Sequence, residues 1–320
     1  MKPAPYMGGA IPVQLPAVQG EGFLYPEAPD TLWVNSGRAA FECLLRGLPE
    51  LPPRVWVPRF ICDTLLEPLA RLGIPVARYA VDAALRPVLP AELAPQDVLV
   101  AVNYFGLTGA AVAATVATAP CRVVVDATTA LYSPPLPGVP TFYSPRKFAG
   151  LADGGVAVGA KALPWVLPVD AGADARTAAL LQQYDDSAVQ AAEDALSAPP
   201  KRMGALTRHL LCHTPWQAVA RQRMLNYGVL HRALGDINRL PLPQVPAHAP
   251  MCYPLVCGIP GLRDALIDAG VRLPLYWPEV IEKTDAGDTE NRLARTLLPL
   301  PLDQRYSERD MERLVALVLN

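Results

Sequence analysis

The chain has 320 residues, of which 51% are hydrophobic, and its formal net charge is −2 at pH 7. This length predicts one large domain and a smaller one, and the near-neutral charge excludes an electrostatic attraction to nucleic acid or to an anionic membrane. The N-terminus lacks the pattern of a signal peptide, and no apolar run is long enough to cross a bilayer. The six cysteines have no CxxC spacing, so we expect free thiols and a cytoplasmic protein.

Strands and helices alternate in the first half of the sequence, after a Pro- and Gly-rich stretch at residues 1–30. Runs of apolar or β-branched residues predict strands at 55–57, 75–81, 97–104, 121–125 and 154–158. Helical patterns occur at 37–48, 64–72 and 110–117. Apolar strands that alternate with helices indicate an α/β fold, in which a mostly parallel sheet is covered by helices on both faces.

The pattern changes after about residue 170, where two long helices are predicted at 175–198 and 206–234. Later segments predict a strand at 253–257, a helix at 262–270 and a final helix at 308–319, for which Ser307 is a suitable N-cap. We therefore expect an N-terminal arm at 1–30, a large α/β domain at 31–200, and a linking helix with a smaller α+β domain at 201–320.

The residues Ser36, Gly37 and Arg38 stand at the start of the first predicted helix. The first N–H groups of a helix have no partner within it, and together with the helix dipole they favour a bound phosphate. Gly37 would let a ligand approach closely, and Ser36 could cap the helix or bind the ligand. A plain capped helix explains the same residues.

Asp126 follows the predicted strand CRVVV. Ligands of parallel sheets gather at the carboxyl ends of the strands. A carboxylate there can hold the protonated pyridine nitrogen of pyridoxal phosphate (PLP), and this contact keeps the ring an electron sink. The alternative is an aspartate that only caps the turn after a strand.

Lys147 comes about twenty residues after Asp126, in the run YSPRK at 143–147. Burial and nearby positive charge would lower the pKa of this lysine and make its amine a nucleophile that can bond to the aldehyde of PLP. Ser144, three residues earlier, could donate to the phosphate. A lysine after a proline is usually a solvated surface group, so the hypothesis depends on all three features occurring in this order.

At this point the sequence resembles a known family. The stretches NSGRAAFECLL, VPRFICDTLLEPLARLGIPV, VNYFG, VVVDATTALYS, FYSPRKFAGLADGGVAV and LPLDQRY are similar to the sugar-nucleotide aminotransferases of fold-type I, often described as DegT/StrS-like. The resemblance implies that Lys147 bonds to PLP and later moves protons, and that Asp126 pairs with the ring nitrogen. It further implies that the amides of Gly37 and Arg38, with Ser144, hold the phosphate, and that Thr128 lies against the ring.

Two positions depart from the family's pattern. Thr129 stands where relatives usually have Gln or His near the ring oxygen, and Cys62 aligns best with the aromatic residue that stacks on the ring. Phe60 or Tyr104 are alternative stacking residues. Many relatives also use an asparagine from the partner subunit to reach the phosphate. Asn226 is the candidate here.

Other candidate residues have ordinary structural explanations. His209 and His213 have a spacing that suits metals, but no third ligand is evident, so we predict no metal site. Arg223, Arg232 and Arg305 could bind a substrate phosphate, although we favour a structural role for Arg305. The pair Tyr276-Trp277 is expected to pack in a core or at a domain seam.

These observations predict a PLP-dependent transaminase that transfers an amino group, taken from glutamate, to a keto-sugar attached to a nucleotide. The expected setting is the synthesis of a surface polysaccharide or similar glycan. The resemblance also implies a homodimer with a shared active site. The alternatives are another PLP reaction on a non-sugar ketone, and a non-catalytic descendant of the family that acts as a binding module.

Overall fold

A computed structural model of the chain describes residues 7–8, 22–161, 166–181, 196 and 199–319. Its central feature is an eight-stranded sheet with the strand order β2-β9-β8-β7-β6-β3-β4-β5. The strands are β2 (Thr31–Val34), β3 (Val55–Pro58), β4 (Val76–Val81), β5 (Pro87–Val88), β6 (Val98–Val102), β7 (Arg122–Ala127), β8 (Thr141–Tyr143) and β9 (Gly155–Val158). A two-residue strand, β1 (Met7–Gly8), pairs separately with β11 (Val271–Arg272).

Five neighbouring strands, from β8 to β4, run parallel. The strand β6 is buried at every position, as its unbroken apolar sequence VLVAV predicts for a strand covered on both faces. Its last residue, Val102, lies opposite Asp126 of β7, which in turn lies opposite Phe142 of β8. The parallel register therefore brings the carboxyl ends of these strands to one edge of the sheet.

The helices are α1 (Gly37–Arg46), α2 (Leu66–Leu72), α3 (Gly109–Thr118), α4 (Ala173–Leu181), α5 (Ala205–His213), α6 (Trp216–Leu234), α7 (Leu262–Asp268), α8 (Pro278–Lys283), α9 (Thr289–Thr296) and α10 (Glu308–Leu319). The helix α1 packs against β8 and β9 and buries Phe41, Leu44 and Leu45. Among the described residues, none of these helices has both the length and the apolar content that a membrane span requires.

Two apolar cores organise the molecule. The larger core packs around the eight-stranded sheet and contains residues such as Phe41, Val100 and Phe142. The smaller core combines the end of α6 with α7, α10 and an antiparallel pair formed by β10 (Tyr253–Leu255) and β12 (Leu298–Leu300). The mixed α/β architecture with a mostly parallel sheet is the predicted fold class.

Several predicted boundaries were wrong. The helix predicted at 206–234 is two helices, because the chain is extended at Thr214 and Pro215 cannot donate the hydrogen bond that would continue α5. The helix predicted at 175–198 begins at Ala173 and is described only to Leu181. The strand predicted at 97–104 ends at Val102, and residues 104–106 form a tight turn.

Candidate active site

The loops that follow β6, β7 and β8 meet at the carboxyl edge of the sheet. Asp126 is the penultimate residue of β7 and is buried, with 5% of its surface exposed. Lys147 closes a short 3-10 turn, Pro145–Lys147, that follows β8 through Ser144. Because β7 and β8 are parallel neighbours, the aspartate and the lysine leave the sheet on the same side.

Lys147 is exposed to solvent, although many residues surround its side chain closely enough for burial to lower its pKa. We infer from this combination that Lys147 lies in a depression of the surface, beside Thr128 and Asp126, and we call this depression the cavity. The Nζ atom of Lys147 donates a hydrogen bond to Oγ1 of Thr128 at 3.3 Å.

The lysine and the aspartate influence each other's charge. Burial lowers the pKa of Lys147, which the charge of Asp126 opposes and the charges of Arg146 and Arg38 reinforce. Burial raises the pKa of Asp126, which the charge of Lys147 and hydrogen bonds from Thr128 oppose. The backbone N–H of Thr128 donates to Oδ1 of Asp126 at 2.8 Å. The site thus holds a nucleophilic amine near a buried carboxylate.

The start of α1 lies beside this pair. Gly37 is its first residue, and a Cβ atom at Gly37 would lie 3.0 Å from the methyl carbon of Thr128 and 3.5 Å from Cβ of Ser144. The first turn of α1 therefore lies beside the loops that carry Thr128 and Ser144. A phosphate bound at the N–H groups of this turn would lie close to both loops.

Ser144 provides the clearest test of whether the residues fit a phosphate. Its hydroxyl oxygen is buried and has no hydrogen-bond partner, which is costly unless a ligand completes the bond. It follows β8 directly and lies next to Gly37. An orphaned hydroxyl beside a helix N-terminus, with a lysine and a carboxylate in the same depression, fits the phosphate, the aldehyde and the ring nitrogen of PLP.

No family model and no curated protein matches the sequence. Solved structures do match. The putative sugar aminotransferase Spr1654 from Streptococcus pneumoniae, in its PMP form, has a TM-score of 0.67 and 15% identity over 97% of this chain and 96% of that chain. A DegT DnrJ EryC1 StrS aminotransferase from Brucella abortus has a TM-score of 0.61 and 18% identity over 90% and 84% of the two chains. DesI, in the presence of its TDP-sugar product, has a TM-score of 0.59 and 16% identity over 90% and 79%.

The chain has the sugar aminotransferase fold. This confirms the predicted fold-type I architecture with its mostly parallel α/β sheet. Identities of 15–18% establish a shared fold, whereas function depends on the residues of the site itself.

Within the sugar aminotransferase fold, two predicted cofactor-binding residues make local contacts. Ser36 caps α1, because its hydroxyl accepts a hydrogen bond from the N–H of Ala39 at 3.1 Å. Thr129 is buried, and its hydroxyl accepts from Phe105 N–H and donates to the carbonyl of Asn103, both at 3.1 Å. Each hydroxyl therefore already serves the main chain, and a direct contact with a cofactor remains a prediction.

The alternative stacking residues differ in their access to the cavity. Cys62 is half-buried, its sulfur lies 3.1 Å from the Thr64 hydroxyl, and its charge would act on Lys147. Phe60 and Tyr104 are fully buried and are joined by a 2.7 Å hydrogen bond from the Tyr104 hydroxyl to the carbonyl of Phe60. Of the three residues, only Cys62 has solvent-accessible surface to offer a ring.

The predicted arginine and asparagine candidates have structural contacts. Arg223 is fully buried and donates to the carbonyls of Phe148, Pro250 and Met251. Asn226 donates to the carbonyls of Leu302, Asp303 and Tyr306. Both side chains are held within the subunit.

The remaining candidates also have local explanations. Arg305 forms an ion pair with Asp303 at 2.8 Å, and Arg232 is exposed on α6. His209 and His213 stack on each other with ring centroids 3.9 Å apart. Across the described residues, no group of three or more potential metal ligands occurs.

Sequence reasoning missed the support beneath α1. A Cβ atom at Gly155 would lie 2.0 Å from the carbonyl oxygen of Ser36, so the main chains of β9 and of the start of α1 are in direct contact. Gly154 donates to the carbonyl of Asn35 at 2.7 Å, and the Asn35 amide donates to Asp170 at 3.0 Å. The pair Gly154-Gly155 was the available signal, and it indicates a close main-chain approach.

Sequence reasoning also missed Arg146. Burial, and then the charge of Arg38, lower the pKa of Arg146 to about 10, and Arg146 in turn lowers the pKa of Lys147. Its adjacency to Lys147 was the only signal in the sequence.

Proposed function

We propose that this chain is a PLP-dependent aminotransferase that transfers an amino group from glutamate to a keto-sugar carried on a nucleotide. The observation that carries the proposal is the common contact of Lys147 and Asp126 with Thr128, beside the start of α1. The orphaned Ser144 hydroxyl at the same helix start supports a bound phosphate. These groups match the two reactive ends and the phosphate of a single PLP molecule.

Each residue has a defined task. Lys147 would bond to the cofactor's aldehyde through Nζ, and its lowered pKa increases the fraction of neutral amine available for that bond. Asp126 would accept a hydrogen bond from the protonated ring nitrogen and keep that proton in position. The Ser144 hydroxyl and the first N–H groups of α1 would donate to the phosphate. When bound, PLP supplies the electron sink that lets a C–H bond next to nitrogen break.

Lys147 also moves the proton during transfer. With PLP and an amine substrate bound, the Nζ atom of Lys147 would be the base that takes a proton from the substrate carbon and later gives one back. A base must lie within hydrogen-bond reach of the proton it moves, and the exposed Nζ atom, held by Thr128 beside Asp126, is the candidate. The same residue therefore anchors the cofactor and catalyses the proton transfer.

The keto-sugar part of the proposal is supported by the fold and by the resemblance. Spr1654 carries the description of a putative sugar aminotransferase, and DesI was solved with a TDP-sugar product. By the same resemblance we propose a cytoplasmic homodimer in glycan synthesis, with domains at 1–30, 31–200 and 201–320. A homodimer would bring a second subunit to the mouth of the cavity.

The first experiment tests the cofactor site. Purified protein mixed with PLP is expected to develop visible absorbance, and borohydride is expected to fix the cofactor on Lys147, as peptide mass spectrometry would detect. Lys147→Ala should abolish both signals, because it removes the amine that lies beside Thr128 and Asp126. The matched control is Lys161→Ala, which removes an exposed lysine and should leave both signals unchanged.

The second experiment separates the alternatives. Glutamate should convert the bound cofactor to its amine form, with loss of the visible absorbance, and a nucleotide-linked keto-sugar should restore it. If a simple keto acid or a non-sugar ketone restores the visible absorbance and keto-sugars do not, the result would favour another PLP reaction. A protein that remains colourless with PLP would favour the binding-module alternative.

A further inference from the structure

Thr128 contacts each of the three groups that the site needs. Its hydroxyl oxygen accepts the hydrogen bond from the Lys147 amine at 3.3 Å. Its backbone N–H donates to the Asp126 carboxylate at 2.8 Å, and its hydroxyl also favours the ionised form of that carboxylate. Its methyl group packs on Gly37, the first residue of α1.

We propose that Thr128 is a positioning residue that holds the Lys147 amine next to Asp126 whenever that amine is not bonded to the cofactor. In the cofactor-free protein the hydroxyl keeps Nζ on the cavity floor, near where the aldehyde would arrive. During turnover the same hydroxyl keeps the released amine within reach of the substrate carbon. The second statement rests on the proposed function, whereas the first concerns the cofactor-free protein alone.

Both functional groups of the threonine side chain are needed for this role. The hydroxyl can accept from Lys147 while donating its own proton to Asp126, so it connects two opposite charges through one atom. The methyl group lies against Gly37 and fixes the rotation of the side chain about Cα–Cβ. A valine at this position would keep the shape without the hydrogen bonds. A serine would keep the hydroxyl and lose the methyl contact.

The hydroxyl is expected to shift the titration of Lys147 in a definite direction. A hydrogen bond is stronger when its donor is charged, so an accepting oxygen favours the ammonium form over the neutral amine. The other groups that act on Lys147 are Asp126 from β7, Arg38 from α1, Arg146 from its own turn and Cys62 after β3. Removing the hydroxyl leaves these groups in place, and the amine should then lose its proton at a lower pH.

The experiment measures the reactivity of Lys147 in cofactor-free protein. Trace acetylation with acetic anhydride at a series of pH values, followed by peptide mass spectrometry, gives the midpoint at which Lys147 becomes reactive, with exposed Lys161 as the internal reference. In Thr128→Val this midpoint should fall by about one pH unit, because one charge-assisted hydrogen bond is lost. In Thr128→Ser it should stay near the wild-type midpoint.

The control variant is Thr115→Val, which removes a buried hydroxyl bonded to the Ala111 carbonyl within α3, away from the cavity. Its Lys147 midpoint should equal that of the wild type. The proposal is overturned if Thr128→Val leaves the midpoint unchanged, or if the valine and serine variants shift it equally. Thermal unfolding of each variant identifies any that does not fold, and for a misfolded valine variant Thr128→Ala supplies the same comparison.

The acetylation test of Thr128 can succeed or fail independently of the proposed aminotransferase function. If the protein never develops absorbance with PLP, the aminotransferase proposal fails, yet the acetylation midpoints still decide the role of Thr128. If PLP binds, the pH at which the absorbance of Thr128→Val reaches half its maximum should fall in parallel with the acetylation midpoint. Absorbance that develops normally while the acetylation midpoints of all variants coincide would reject the positioning role alone.

Discussion

Asp126 is a buried carboxylate whose raised pKa means that ionisation costs folding free energy in the cofactor-free protein. Lys147 offsets part of that cost, since its charge lowers the pKa again. Under the proposed function, the protonated ring nitrogen of PLP would provide a second partner. Asp126 would then be better suited to the cofactor-bound protein than to the cofactor-free one, as is common for groups that serve function rather than stability.

This reasoning predicts opposite effects of Asp126→Asn on stability and activity. Amine transfer should fall about a hundredfold or more, because the charge that stabilises the ring proton is lost. The melting temperature of the cofactor-free variant should be no lower than that of the wild type, because a costly buried charge has been removed. Stopped-flow rates and thermal unfolding measure the two effects. The control is exposed Asp268→Asn, and a marked loss of stability in Asp126→Asn would contradict the argument.

At the scale of elements, the start of α1 depends on the strand beneath it. Gly155→Ala should destabilise the protein by about 3 kcal/mol or more, because the new Cβ would overlap the Ser36 carbonyl and neither main chain can move freely. The affinity for PLP should fall as well, since the displaced turn carries the amides that are proposed to bind the phosphate. Urea unfolding and absorbance titration measure these effects. Gly287→Ala, in open space on the surface, should change neither.

The helix α6 connects the two cores. It begins with Trp216 in the larger core and ends with Leu230 and Leu234 in the smaller one. Midway, the guanidinium of Arg223 donates to the carbonyls of Phe148, Pro250 and Met251, and it lies 4.9 Å from the centroid of the Phe148 ring. Since Phe148 follows Lys147 directly, this arginine links the lysine turn to the rest of the chain.

Arg223→Met should therefore cost about 3 kcal/mol or more, because it leaves buried carbonyl groups without donors. The lysine turn should also become less ordered, so borohydride fixation of PLP on Lys147 should be slower. The matched variant on the same helix is Arg232→Met at an exposed position, which should behave as the wild type in urea unfolding. Equal stability of the two variants would show that the guanidinium contacts contribute little.

At the scale of the whole molecule, the stability in acid should depend on Asp303. Burial alone would raise its pKa, but the hydrogen bonds and charge of Arg305 and the charge of Arg223 lower it below the ordinary value. A carboxylate whose pKa is lowered in the folded chain stabilises the fold above the unfolded pKa, about 3.9, and this contribution is lost as the pH falls through the folded value. Stability should thus decrease below about pH 4.

Asp303→Asn tests this dependence. The variant should lose about 1–2 kcal/mol at pH 7, because the paired carboxylate is gone, and the difference from the wild type should shrink as the pH falls below 4. Urea unfolding at a series of pH values measures both quantities. A difference that stays constant with pH would mean that the charge of Asp303 does not contribute.

Much of the sheet could be predicted from the sequence, because β6 and β7 are long apolar runs with few alternative structures. The final helix was predicted with both of its ends, since Ser307 accepts from Asp310 N–H and acidic residues occupy the first turn. The strands β8 and β12 were missed because three residues carry too little periodicity. The break at Pro215 was available in the sequence and was overlooked.

The residues of the candidate site also fall into those that the sequence predicts and those that it does not. Lys147, Asp126 and the start of α1 follow from residue type and from their order along the strands. The roles of Thr128, Gly155 and Arg223 depend on contacts between segments far apart in the sequence, which no local pattern encodes. Ser36 and Thr129 show the opposite case. The sequence motif assigns their hydroxyls to a ligand, but in the structure both hydroxyls accept hydrogen bonds from main-chain N–H groups.

The close approach of Gly37 and Thr128 also constrains how this protein can evolve. A Cβ atom at position 37 would lie 3.0 Å from the threonine methyl carbon, which is tighter than ordinary van der Waals contact, so the threonine would have to move. A lineage that acquired alanine at position 37 would need a side chain smaller than threonine at position 128, so the two positions should covary among descendants. Relatives that lack this combination of small and large residues would need other contacts to hold the lysine in place.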